Sequence, residues 1–130
     1  MENISISLSE AGQNNVSEVR VDGVIDTTTA GELESVIDSL LKRQRYQILI
    51  DLAGVDYISS AGWGIFISHI KDVRDNQGDI KLANMIPNVN EIYELLEFDK
   101  VLRAYSSSDD ALKGFGNGAS QTQAKKKADE

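Results

Sequence analysis

The sequence predicts an α/β fold built on one mostly parallel β-sheet, and three observations predict it. Ile4-Ser5-Ile6-Ser7-Leu8 alternates apolar and polar residues, as a half-buried strand does. Ile48-Leu49-Ile50 is apolar without a break, the pattern of a strand covered on both faces. Between such runs, apolar residues recur at spacings of three and four. Strands that alternate with helices of this length pair in parallel through right-handed crossovers.

Taken in order, Ile4–Leu8 and the run from Val16 to Val21 form a hairpin across a turn at Glu10–Asn15. Leu33, Val36, Ile37, Leu40 and Leu41 then define an amphipathic helix. Thr29 and Glu32 suit a capping box at its start, and Asp26 lies in the approach. Lys42, Arg43 and Arg45 sit at its end, where cations favour the helix dipole. A strand over Tyr46–Asp51 follows, then a short loop. The loop opens a helix with Trp63, Phe66, Ile67, Ile70 and Val73 on one stripe, and Gly78 is the expected left-handed stop. Asp79–Asn84 is a strand. Pro87 fits the first turn of a third helix, with Asn88 and Glu91 as its capping pair. Val101–Tyr105 is the last strand, and Ser108 starts a short final helix stopped by Gly114.

A chain of 130 residues, 41% of them hydrophobic, can bury a core as one domain without staples. We place that domain at residues 1–115. Residues 116–130 read Gly-Asn-Gly-Ala-Ser-Gln-Thr-Gln-Ala before three lysines, too polar to order themselves, so a disordered tail is expected.

Composition removes several function classes. The absence of cysteine excludes thiol nucleophiles, disulfides and zinc–thiolate sites. Met1–Ser5 has neither a basic nor an apolar leader segment, and no apolar run approaches the ~20 residues of a membrane helix. A cytoplasmic protein is expected. A formal charge of -8 opposes nucleic acid and anionic membranes as partners and favours a basic protein surface.

The most informative stretch is Val55-Asp56-Tyr57-Ile58-Ser59-Ser60-Ala61-Gly62-Trp63-Gly64. It sets hydroxyls at a helix N-terminus, where unpartnered N–H groups and the dipole welcome a cap or an anion. Ser60 can cap this end. A serine hydrolase would need a base, and His69 is the single histidine. On the same helix it lies nine residues on, about 13 Å away and on the opposite side. It reads as a surface or rim residue. Neither a nucleophile elbow nor a dinucleotide or P-loop glycine pattern is present. Asp51 and Asp56 lack companion ligands. We therefore expect no enzyme, no catalytic residue, no cofactor and no metal.

Asp51-Leu52-x-x-Val55-x-Tyr57-Ile58-Ser59-Ser60-Ala61-Gly62, followed by a helix, resembles the STAS domain of bacterial anti-sigma factor antagonists. Gly23-Val24-Ile25-Asp26-x-x-Thr29-Ala30 resembles the second signature of that family, and the likeness spans about residues 4 to 113. It implies a single mixed, mostly parallel sheet with helices packed on one face. It also implies partner switching: binding to an anti-sigma factor that is a serine kinase, release on phosphorylation, and resetting by a serine phosphatase. The family motif Asp-Ser-Ser/Thr-Gly, aligned on Gly62, puts the phosphorylated serine at Ser60, with Ser59 as second choice. Here Ser59 holds the aspartate position and Ala61 that of the second hydroxyl. The resemblance further implies a docking surface of Asp26, Thr27 and Thr28 beside Ser59, Ser60 and Gly62. Those three residues also suit the start of a helix, and Trp63 suits either the core or an interface anchor. The variant motif leaves a second reading, a constitutive STAS scaffold that is never phosphorylated. A third is a small-molecule or nucleotide sensor using the cleft above Ser60.

Overall fold

In a computed structural model, residues 4–11 and 15–115 are described. The expected tail at 116–130 and the centre of the first turn lie outside them. Five strands form one sheet in the order β1 (Ile4–Ala11), β2 (Val16–Ile25), β3 (Gln47–Ile58), β4 (Asp79–Ala83) and β5 (Arg103–Tyr105). β1 and β2 are antiparallel, with Ile6 opposite Val21; the other three pairings are parallel. The connecting helices are α1 (Ala30–Lys42), α2 (Ser60–Asp75) and α3 (Pro87–Leu95), and α4 (Ser108–Gly114) closes the order.

Spatial order equal to chain order has a consequence. Successive crossovers of the usual right hand must carry α1, α2 and α3 over the same face. Leu33, Ile37 and Leu40 of α1 and Trp63, Phe66, Ile70 and Val73 of α2 are buried there against Ile48, Ile50, Ile80 and Leu82. Each large side chain taken fully out of water contributes about 1.5–3 kcal/mol. The alternate residues Leu49 and Ala83 face the other way, where Ala111 of α4 and Phe115 just after it cover them. α4 follows the last strand, so no crossover rule binds it to the first face.

Several local expectations are corrected. β3 does not end at Asp51 but runs on to Ile58. Its pairing with β2 steps from Arg20↔Asp51 to Asp22↔Gly54, and from Gly23↔Val55 to Val24↔Tyr57. Each step adds one unmatched residue to β3, so this segment is a strand with two bulges. The Thr29–Glu32 capping box does not form. Thr29 turns its hydroxyl back to donate to the Val24 carbonyl at 2.6 Å, while Asp26 caps the turn. Ile86, with no side-chain cap, precedes α3, so Asn88 and Glu91 form no box either. After α2 the left-handed residue is Gln77, with φ 64°. Gly78 is needed for space instead, since a Cβ there would lie 1.9 Å from the Tyr46 carbonyl oxygen. Among the described residues, no helix is long and apolar enough to cross a membrane.

Candidate functional site

The C-terminal ends of β2 and β3 lie side by side, with Ile25 opposite Ile58. One residue further on, the Ser59 backbone N–H donates to the Ile25 carbonyl at 2.8 Å. The loop into α1 and the start of α2 are thereby brought together at the C-terminal end of the two strands.

In the first loop, Asp26 Oδ1 accepts from the Thr28 backbone N–H at 2.9 Å and from the Thr28 hydroxyl at 2.7 Å. The Thr29 N–H adds a longer bond of 3.3 Å. The Thr28 hydroxyl first, and then these N–H groups, hold the Asp26 carboxyl below the ordinary aspartate range. Asp26 is half-buried, Thr27 and Thr28 are exposed, and Thr29 is buried beneath them. Thr29 Oγ1 also accepts from the Asp26 N–H at 2.9 Å, tying the loop to the strand that feeds it.

In the second loop the cap is Ser59, not Ser60. Its hydroxyl accepts from the Gly62 N–H at 3.3 Å, and its backbone is extended, at φ -81° and ψ 174°. Ser60 is the first helical residue; it is exposed, and its hydroxyl has no partner among the described residues. The two hydroxyls are thus inequivalent, one spent on the helix and one turned outward.

Gly62 and Trp63 lie beneath this surface rather than on it. A Cβ on Gly62 would come within 2.6 Å of Ile25 Cγ2 and 2.7 Å of Ile58 Cγ2, so glycine lets α2 press onto both strand ends. Trp63 is 1% exposed. It stacks on Phe98 at 4.9 Å between ring centroids, edge-on to Phe66 and tilted against Tyr93. The apolar stripe outweighs the anchor reading because α3 and the turn at Phe98–Lys100 close over the indole.

The residues weighed and set aside as a base or as ligands are engaged elsewhere. His69 is buried, not at a rim, and pairs with Asp38 of α1. Asp51 accepts from the Ala53 N–H and the Asn84 side chain, both at 3.0 Å, on the sheet face covered by α4. A feature missed in the sequence is a groove of about 330 Å³ between the end of β3 and α3. Tyr57, Trp63, Val89 and Ile92 give it apolar walls, and Asp56 and Glu91 give it charge. Tyr57, 55% exposed, was the available signal: an aromatic side chain on the outward phase of a bulged strand. The groove contains neither Ser59 nor Ser60.

The structure thus defines a single mixed sheet with two loops meeting at the mouth of α2. The chain belongs to the STAS domain family, which matches residues 8–111. It is 29% identical over 93 residues to the putative anti-sigma factor antagonist BtrV of Bordetella bronchiseptica, covering 72% of this chain and 80% of that one. The crystal structure of an anti-sigma factor antagonist from Mycobacterium paratuberculosis superposes with a TM-score of 0.76 at 27% identity, covering 85% of this chain and 92% of that one. The antagonist SpoIIAA in its unphosphorylated form superposes at 0.69 over 84% of this chain and 94% of its own; at 14% identity that likeness is one of fold.

Proposed function

We propose that this chain is an anti-sigma factor antagonist: a cytoplasmic binding module, not an enzyme, that regulates transcription by partner switching. Its docking face is Asp26, Thr27 and Thr28 with Ser59 and Ser60. Its partner is an anti-sigma factor with serine kinase activity, which phosphorylates Ser60; a serine phosphatase restores the hydroxyl. The observation that carries this reading is the contrast between the two serines. Ser60 is exposed with an unengaged hydroxyl, while Ser59 is committed to capping α2.

The physics follows from the position. Phosphorylation adds about -1.5 to -2 charges. Within the antagonist, the N-terminus of α2 accommodates them through its dipole and N–H groups. Across an interface shaped for a hydroxyl, the same charge must be desolvated beside the ionised Asp26, whose loop adjoins Ser59. Each 1.4 kcal/mol of that penalty weakens the complex about tenfold.

Incubation with the cognate anti-sigma kinase and ATP tests the modification. The wild type and Ser59→Ala gain one phosphate by intact mass, and Ser60→Ala gains none. The variant motif, with Ser59 where an aspartate is usual, favours a second reading as an unphosphorylated scaffold; in that case neither serine is labelled.

A further inference from the structure

Away from the two loops, one group of side chains joins the two longest helices. Glu34 and Asp38 lie one turn apart on α1, and His69 lies on α2. A ligand atom from each falls within 4.8 Å of the other two. His69 Nδ1 is 2.8 Å from the carbonyl oxygen of Ile65. A carbonyl only accepts, so Nδ1 carries the hydrogen and donates it. The ring is then fixed with Nε2 turned towards Asp38 Oδ1 at 3.0 Å and Glu34 Oε2 at 3.9 Å. Two carboxylates and a ring nitrogen converge on one point, and that point demands positive charge. Either a proton on Nε2 or a bound cation supplies it.

We propose that Glu34, Asp38 and His69 form a binding site for a divalent transition-metal ion. The donor set, one imidazole and two carboxylates, suits zinc and its first-row neighbours, whereas magnesium and calcium prefer oxygen alone. The Nδ1–H bond to a backbone carbonyl is the outer partner that metal-bound histidines ordinarily have. The ring is buried at 9% exposure, so Nε2 is held in place in advance. The Glu34 and Asp38 side chains are about half exposed, at 48% and 52%, so they can rotate to draw in from 3.9 Å. Metal–ligand bonds of about 2.0–2.2 Å require that approach. Binding takes the Nε2 lone pair, releases any proton held there to solvent, and leaves the remaining coordination positions to water. The ion clamps α1 to α2 below the loops that the two helices carry.

His69 is the single histidine of the sequence, so its ring resonances report this site alone. In the tag-free full chain, zinc chloride is expected to shift those resonances and raise the melting temperature, while magnesium chloride does neither. Losing an outer-sphere partner alone costs about 10–100-fold in metal affinity, so the Glu34→Gln/Asp38→Asn double variant should bind zinc at least tenfold more weakly. Both substitutions keep side-chain size at half-exposed positions, so folding is retained. Ring signals unmoved at millimolar zinc would overturn the proposal. So would a double variant that binds as tightly as the wild type, because the histidine would then be acting alone.

Discussion

The Ser59 backbone N–H donates to the Ile25 carbonyl at 2.8 Å, joining the first residue after β3 to the last residue of β2. This bond extends the parallel ladder one step past the strands. It fixes the distance between the Asp26 loop and the start of α2. A partner docking on the proposed face would therefore meet both loops at once.

Beneath that bond, Gly62 and Gly64 make opposite predictions for one substitution. Helix propensity favours alanine over glycine by about 0.8–1.0 kcal/mol. At Gly64 a Cβ meets nothing within 4 Å, so Gly64→Ala should stabilise by up to that amount. At Gly62 it meets two isoleucine methyl groups below 3 Å, and overpacking of this kind costs about 1–3 kcal/mol. Gly62→Ala should be net destabilising. Urea unfolding followed by the fluorescence of the single tryptophan, buried in the native state, measures both.

Thr29 is buried and makes two short bonds with its hydroxyl, to the Val24 carbonyl and from the Asp26 N–H. Thr29→Val keeps the shape and strands both partners. A loss of about 1–3 kcal/mol is expected, with faster amide exchange at Asp26. A variant as stable as the wild type would show that the loop is not held this way.

Asp26 gives a pH signature with a defined sign. Its carboxyl titrates below the ordinary value of 3.8 in the fold, chiefly because the Thr28 hydroxyl donates to it. In the window between the two values the unfolded chain binds more protons, so stability rises with pH there. The contribution is complete above the ordinary value and is lost as the pH falls through the folded one. Thr28→Val should move the Asp26 titration, followed by carboxyl carbon NMR, up towards 3.8 and flatten that part of the acid unfolding curve.

Ser59 and Ser60 should differ in stability as well as in modification. Removing an N-cap hydroxyl costs about 0.5–2 kcal/mol. Ser59→Ala should therefore lower the melting temperature, whereas Ser60→Ala, which removes a hydroxyl with no partner among the described residues, should leave it nearly unchanged. Equal melting temperatures for the two variants would contradict the assignment of the cap.

The element order was legible because it rests on periodicity, which the buried faces of α1 and α2 reproduce. The stretch Leu52–Ile58 was not, since each bulge shifts the alternation by one residue. Asp56 and Tyr57 are both exposed in succession between buried Val55 and Ile58. The choice of cap turned on one residue between two identical neighbours, and backbone conformation decides it. Thr29 was misread because its hydroxyl had a rival acceptor five residues back, at Val24, which local spacing does not reveal. His69 looked peripheral on its own helix; a carboxylate 31 residues away on α1 completes its surroundings. The groove beside Tyr57 depends on where α3 packs, a tertiary fact of which Tyr57 itself is the one local mark.

The measurement that bears most directly on the proposed switch is the affinity of the full chain for its anti-sigma factor before and after phosphorylation at Ser60, by titration calorimetry. A charge desolvated at the interface beside Asp26 predicts a loss of about 100-fold or more, equivalent to about 2.7 kcal/mol. An affinity that is unchanged within about twofold, less than 0.5 kcal/mol, would contradict it.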